Sequence, residues 1–261
     1  MLLSICIPTF NRLPYLKEAI DALLPQIEKT MPGQVEFLVS DNCSTDGTAD
    51  YLAAMQSNRL RFWTNEVNIG GDRNFLKCIS EASGDYVWLV GDDDLIAEDG
   101  VDRVLTAIER EHPDLVVADE LAAGEKVYAD YRSCLVGERR RRRPLALTHT
   151  LISANIFRRT LFDAGFAESH LWTSYAHMFG FVGSLAGKVV LQSHVLLEQK
   201  VRAEFEKYPS FLCIKHAIYL WYLASRFKLP GYRWLAMKSV CNLPMEFGSR
   251  IKFHLKKLFS R

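Results

Sequence analysis

The chain has 261 residues, of which 49% are hydrophobic and 24% charged, with a formal net charge of +1; this balance excludes a disordered chain and fits one globular unit or a domain with an appendage. No uninterrupted apolar run reaches the roughly 18–20 residues of a membrane-spanning helix. Six scattered cysteines without a C-x-x-C pair exclude a zinc knuckle and read as reduced cytosolic thiols.

In chain order, residues 2–8 read as a β-strand that begins without a basic lead-in, unlike a signal peptide. Residues 13–28 have helical spacing, with Pro14 tolerated in the first turn. Residues 35–40 read as a strand, 46–55 as a helix, 60–64 as a strand and 72–82 as a helix. Residues 86–90 are a short apolar run, 98–110 a helix and 115–118 a strand. Strands alternating with helices predict an α/β fold, a mostly parallel sheet covered on both faces. After residue 119 the pattern changes. Residues 120–144 are polar and read as irregular or hairpin structure, including five consecutive arginines at 139–143. Residues 151–157 read as a strand, 158–164 as a short helix, 174–187 as helical and 189–193 as extended. From residue 208 one or two amphipathic helices are expected, interrupted at Pro230-Gly231 and Pro244. In 246–261, Phe247, Ile251, Leu255 and Leu258 separate from Arg250, Lys252, Lys256, Lys257 and Arg261, the pattern of a basic amphipathic segment.

Charge is unevenly placed. Residues 1–120 carry 9 Lys/Arg and 22 Asp/Glu, a net of −13, and the remainder 23 and 9, a net of +14. The acidic half suits a bound cation, and the basic half a phosphate-rich partner or an anionic membrane. The sharpest feature is Val87-Trp-Leu-Val-Gly-Asp-Asp-Asp94, a buried-strand pattern ending in three carboxylates. Adjacent acids repel, and a hard divalent cation, Mg²⁺ or Mn²⁺, relieves that repulsion with oxygen ligands. Ligands of open α/β sheets bind beyond the carboxyl ends of strands. Three more loops fall at such ends: Pro8-Thr-Phe-Asn-Arg12, Asp41-Asn-Cys-Ser-Thr-Asp-Gly-Thr48 and Asn68-Ile-Gly-Gly-Asp-Arg-Asn74. Taken singly, each has a plainer reading: a charged turn, an Asx turn with a helix cap, a glycine turn.

Together, in this order, the four resemble the family-2 glycosyltransferases of GT-A fold over roughly residues 1–120. The N-I-G-G-D-R-N and G-D-D-D variants are most similar to the abequosyltransferase-type members that build bacterial O-antigen. The resemblance implies a GT-A-like Rossmann-type sheet and a nucleotide-sugar donor. Pro8, Thr9, Asn11 and Arg12 would line base and ribose. Asp41, with Asn42 beside it, would meet the base, and Gly70 and Gly71 would allow close approach of backbone to the donor. Asp72 or Asn74 would lie near ribose or sugar. The last acid of the family's D-x-D falls on Asp93, implying a direct ligand to Mn²⁺ or Mg²⁺ with a catalytic part as Lewis acid. The first falls on Gly91, a departure that leaves Asp92 or Asp94 for the second contact. The family's usual Glu-Asp base dipeptide is missing beyond residue 140. Asp163, Glu168, His170, Tyr175 and His177 are the titrating candidates there, and His177, on the expected acceptor-side helix, is favoured as base or as a further metal ligand.

The expected organisation is a nucleotide-sugar-binding core over 1–120, an acceptor-side part of the same domain over 121–205, and a helical, membrane-associating extension over 206–261. The implied activity is sugar transfer to a hydroxyl of a lipid-linked glycan. The implied location is peripheral, on the cytoplasmic face of a bacterial inner membrane. No nucleic-acid partner is expected, because no aromatic platform accompanies the arginine run. Two rivals are a nucleotidyltransferase, which would release pyrophosphate from a nucleoside triphosphate, and a non-catalytic nucleotide-sugar-binding module.

Overall fold

The computed structural model describes residues 1–55, 57–119, 122–138, 151–173 and 175–199, together with 221, 222 and 225. The chain divides into two units, Met1–Lys200 and Val201–Arg261, and the described residues lie almost wholly in the first. The arginine run at 139–143 and the expected basic tail at 246–261 lie outside the described residues.

The first half alternates as its sequence predicts. Strand β1 (Leu3–Thr9) is followed by helix α1 (Leu13–Glu28), β2 (Val35–Asp41), α2 (Thr48–Ala54), β3 (Leu60–Thr64), α3 (Gly71–Glu81) and β4 (Tyr86–Leu89). Every residue of β1 is buried, as expected for a strand covered on both faces. Pro14 sits in the first turn of α1, where its missing N–H costs nothing. Leu16, Ala19, Ile20, Leu23 and Ile27 repeat at helical spacing, and all are buried in the core with Leu3, Ile5 and Ile7.

The remaining strands are β5 (Asp94–Ile96), β6 (Leu115–Ala118), β7 (Lys126–Tyr128), β8 (Asn155–Arg158), β9 (Val189–Gln192) and β10 (Leu196–Gln199), with α4 (Gly100–Glu111) after β5 and α5 (Tyr131–Gly137) after β7. Eight strands form one sheet in the order β3-β2-β1-β4-β8-β6-β9-β7, and β5 pairs with β10 in a separate ribbon. Four pairings of the large sheet are parallel (β1 with β2 and β4, β2 with β3, β6 with β9). Three are antiparallel, two of them made by β8, which enters between β4 and β6. The expected mixed α/β class with an open, mostly parallel sheet is therefore present.

Four local expectations change. The stretch 120–144, expected to be irregular or a hairpin, carries β7 and the helix α5 among its described residues. Residues 151–157 form not one strand but a 3₁₀ turn, Ile152–Ala154, before β8. The helix expected over 158–164 becomes a 3₁₀ turn, Arg159–Leu161, followed by the helix Ala164–Glu168. The expected helix over 174–187 is reduced to Ala176–Gly180 and a 3₁₀ segment, Phe181–Ala186. Close packing gives the reason for the last: a Cβ at Gly180 would lie 2.2 Å from the Phe162 ring, and one at Gly183 2.7 Å from the Leu161 carbonyl oxygen. The glycines serve a tight contact there and weaken a regular helix.

Candidate functional site

Strands β1, β2 and β4 run parallel, so their carboxyl ends share one edge of the sheet. Because β8 is antiparallel to β4, the turn that leads into it reaches the same edge. This topology gathers Thr9 and Arg12 after β1, Asp41 and Asn42 after β2, the acids after β4, and Ser153 before β8.

The acids occupy three different environments. Asp92 is 4% exposed. Its carboxylate accepts the Thr9 hydroxyl at 2.7 Å and one Arg12 Nη at 2.8 Å, and the other Arg12 Nη reaches Asp93 at 3.1 Å. Burial pushes the Asp92 carboxyl up to about 6, against the pull of Arg12 and Thr9. Asp93 is the most open of the three. Asp94 is 6% exposed and opens β5. It accepts the Ser153 hydroxyl, which itself accepts the Gly91 N–H at 2.8 Å. Burial raises Asp94 to about 7, opposed by Ser153 and reinforced by the neighbouring acids. Gly91 fits this compact turn because a Cβ there would lie 2.9 Å from an Asp94 oxygen and 3.0 Å from an Asp93 oxygen.

The second loop holds a carboxylate of another kind. Asp41 is fully buried; one oxygen accepts the Ser44 N–H at 3.0 Å and the other has no hydrogen-bond partner. An unpaired buried carboxylate oxygen is costly, and an arriving N–H donor would satisfy it. Asn11 adopts a left-handed backbone (φ 52), as does Cys43 (φ 67). The two loops are laced together: Asn11 donates its N–H to Ser44 Oγ at 2.8 Å and accepts the Thr45 N–H at 2.7 Å, and Asp46 accepts the Leu13 N–H at 2.9 Å. Pro8 lies within buried β1, in register with Ser40.

Asn42 and Asn74 form the frame under the third loop. Asn42 donates to Asn68 at 2.8 Å and accepts from Asn65 and from the Ile69 N–H, both at 3.0 Å. Asn74, 2% exposed, accepts the Ser40 hydroxyl at 2.6 Å and an Asn65 amide at 3.0 Å, and donates to the Ser40 carbonyl at 3.0 Å. This network fixes Gly70, at φ 85, and exposed Gly71 at the head of α3, with Asp72 half-buried beside them. A small cavity of about 330 Å³ is lined by Gly70, Gly71, Asp72 and Phe75 among others.

The acceptor-side candidates are largely occupied by their own segment. Asp163 caps the helix Ala164–Glu168 by accepting the Phe166 N–H at 2.8 Å. The His170 ring stacks on Phe179 with centroids 4.0 Å apart, and Glu168 is exposed. His177 is 4% exposed, meets Phe75 edge-on at 5.3 Å, and has no hydrogen-bond partner on either ring nitrogen. Burial alone drives its pKa down to about 3. Ser153 is the side chain against the acids that motif reasoning missed; its signal was a polar residue inside the largely apolar stretch Leu-Ile-Ser-Ala-Asn-Ile-Phe.

No group of three metal-ligating side chains converges as a ready cage among the described residues. The fit to a divalent ion rests instead on Asp93, the least buried of the three acids, with Asp94 next to it, while Asp92 is taken up by Thr9 and Arg12. Mg²⁺-type ions are commonly held by one or two carboxylates plus substrate phosphates, and open Asp93 suits that mode.

Strand-end loops of this kind, with an acid turn, a buried carboxylate and a glycine loop, put the candidate site where open α/β sheets bind their ligands. The family model for glycosyl transferase family 2 matches residues 4–166, and the chain belongs to that family. It is 32% identical to the abequosyltransferase RfbV of Salmonella typhimurium (strain LT2) over 201 residues, 69% of this chain and 60% of that protein, so it spans about three-fifths of that relative's length. Its fold is similar to that of TarS residues 1–349 from S. aureus, solved in complex with UDP-GlcNAc (TM-score 0.59, 16% identity, 100% of this chain and 72% of that one). It is also similar to the mannosyltransferase PcManGT from Pyrobaculum calidifontis, in complex with GDP-Man and Mn²⁺ (TM-score 0.56, 15% identity, 99% and 79%).

Proposed function

We propose that this chain transfers a sugar from a nucleotide-diphosphate donor, with a divalent metal, to a hydroxyl of a lipid-linked glycan in bacterial surface-polysaccharide synthesis. It works peripherally, at the cytoplasmic face of the inner membrane, where the basic tail meets anionic lipid. The observation that carries this reading is the convergence of Thr9, Arg12, Asp41, Asp92 and Asp93 at one sheet edge. The likeness to an abequosyltransferase and to nucleotide-sugar transferases supports it. Among the described residues, no helix is long and apolar enough to cross a membrane.

In this reading the unpaired Asp41 oxygen accepts an N–H from the nucleobase, with Asn42 shaping its loop. Pro8, Thr9, Asn11 and Arg12 line base, ribose and diphosphate. Gly70 and Gly71 let the backbone approach the donor, and Asp72 faces the sugar, with Asn74 bracing the loop from beneath. Asp93 would hold Mn²⁺ or Mg²⁺, with Asp94 as the further residue able to contact it, and Asp92 orients Arg12. An ion held there would supply Lewis-acid chemistry at the diphosphate. Arg12 adds its own positive charge to the same oxygens.

His177 is the proposed base for the acceptor hydroxyl. Its ring is neutral at working pH, as a base must be. Burial disfavours the imidazolium, so proton transfer to it requires a nearby negative charge that arrives with the substrates.

The test is Asp93→Ala, assayed with a panel of nucleotide sugars and Mn²⁺. The expected result is loss of transfer, and of the metal-dependent rise in melting temperature on donor binding, with the fold unchanged by circular dichroism. Undiminished turnover would remove the proposed metal role. Consumption of a nucleoside triphosphate with release of pyrophosphate would replace the reading with nucleotidyl transfer.

A further inference from the structure

A groove of about 790 Å³ runs between α3 and the segment 159–171. It shares Ile69, Arg73 and Leu171 with the small cavity at the Gly70–Gly71 loop, so the two form one continuous depression. Its charged lining is Arg73, Lys77 and Arg159 against the single acid Glu168. That excess of positive charge stands out, because residues 1–120 hold only 9 basic side chains beside 22 acidic ones and two of the nine lie here. Lys77 Nζ is anchored on Asn65, and Arg159 Nε donates to the Gly84 carbonyl at 2.6 Å, so both side chains are held in place. Arg73 is exposed. Apolar side chains make up much of the rest, among them Leu76, Ile79, Phe162 and Leu171.

We propose that this groove binds an anionic amphiphile, a phosphate or pyrophosphate group carried on a prenyl-type chain, with the cations on the anion and the apolar side chains on the first carbons of the chain. It rests on the proposed function, in which that ligand is the anchored end of the acceptor. Two features favour it over a free anion or a neutral lipid. Cationic and apolar side chains line the same groove, and pockets of this size enclose small organic ligands. The groove also opens onto the donor loop, where the acceptor's other end must arrive. From Arg73 to Ser80 the helix rises by about 10 Å, which leaves room for a sugar or two between anion and donor.

The experiment uses the full chain in EDTA, so that no metal can draw a pyrophosphate into the nucleotide site. Titration calorimetry compares farnesyl pyrophosphate, inorganic pyrophosphate and farnesol on the wild type and on Arg73→Glu, Arg159→Gln and Asp93→Asn. Farnesyl pyrophosphate should bind the wild type and Asp93→Asn alike. It should bind Arg73→Glu and Arg159→Gln at least roughly tenfold more weakly, as expected for loss of a charge-assisted contact. Exposed Arg73 tolerates substitution, so that variant decides the matter even if Arg159→Gln misfolds. Equal affinity of wild type and Arg73→Glu overturns the proposal. Farnesol binding as tightly as its pyrophosphate removes the anion site, and inorganic pyrophosphate binding as tightly removes the apolar part. Without metal the Asp93 carboxylate can only repel an anion, so tighter binding to Asp93→Asn together with unchanged binding to Arg73→Glu places the probe beside Arg12 in the nucleotide site and also overturns it. None of these readouts needs turnover, so a failure of the transferase reading is seen separately, as absence of transfer from every donor.

Discussion

Replacing His177 by Leu tests both the packing of the acceptor side and the origin of the base. The ring is 4% exposed, has two nitrogens without partners, and is held near pKa 3 by burial. Its folded pKa lies below the unfolded value of about 6.5, so the native state resists protonation while the unfolded chain accepts it. The contribution to stability is therefore complete above about pH 6.5 and is lost as pH falls from there toward 3. At pH 5 the loss is (6.5 − 5) × 1.36, or about 2 kcal/mol. Leu does not titrate, so the variant should gain about 2 kcal/mol on the wild type between pH 7.5 and pH 5. At pH 7.5 a second effect operates. An unsatisfied buried polar group costs about 1–3 kcal/mol, and the lost edge-on contact with Phe75 returns about 0.5–1.5 kcal/mol of that. The variant should then lie between about 0.5 kcal/mol less and about 2.5 kcal/mol more stable than the wild type. Urea denaturation of both proteins at pH 5.0, 6.0 and 7.5 measures this, read as the difference so that other titrating groups cancel. Parallel pH dependences would refute the reasoning, because they would mean that the ring is already charged or solvated. The same variant addresses catalysis: a stabilised protein whose transfer rate falls about a hundredfold or more has lost its base, whereas full transfer dismisses His177 from that role.

Asn74→Ala should cost about 2–4 kcal/mol in chemical denaturation, since it breaks three hydrogen bonds inside a buried network; a change below half a kcal/mol would show that the network is not closed. Asp94 has its folded pKa raised to about 7, above its unfolded value, so the wild type should lose stability as pH rises from about 4 through 7. In EDTA, Asp94→Asn should therefore gain on the wild type by about 1–4 kcal/mol over that range, and a gain toward acid pH instead would contradict the assignment. Removal of residues 246–261 should weaken binding to anionic liposomes in a sedimentation assay, with equal binding of both forms as the contrary result.

Residues 1–120 could be read in the sequence because their signals are local. A strand pattern followed within a few residues by Thr9, Asp41 or the acids already places those side chains at strand ends, whatever the distant chain does. Helix α1 was equally plain, with buried residues at helical spacing strong enough to carry it through the interior Pro25. The described residues from 122 onward gave poorer signals. Their elements are three to seven residues long, too short for periodicity to separate helix from strand, and Gly180 and Gly183 take their meaning from Phe162 and Leu161, which lie about twenty residues away in sequence.

The sequence by itself determined that three carboxylates end a buried strand and that four polar loops follow four candidate strands, which is enough to define a family and a kind of ligand. Only the tertiary structure decided how the three acids differ. The antiparallel entry of β8 brings Ser153 onto Asp94, the end of β1 brings Thr9 and Arg12 onto Asp92, and Asp93 is left the most open. Those distinctions depend on burial and on partners 59 to 83 positions away along the chain, and no local pattern encodes what a side chain will meet once the sheet has closed.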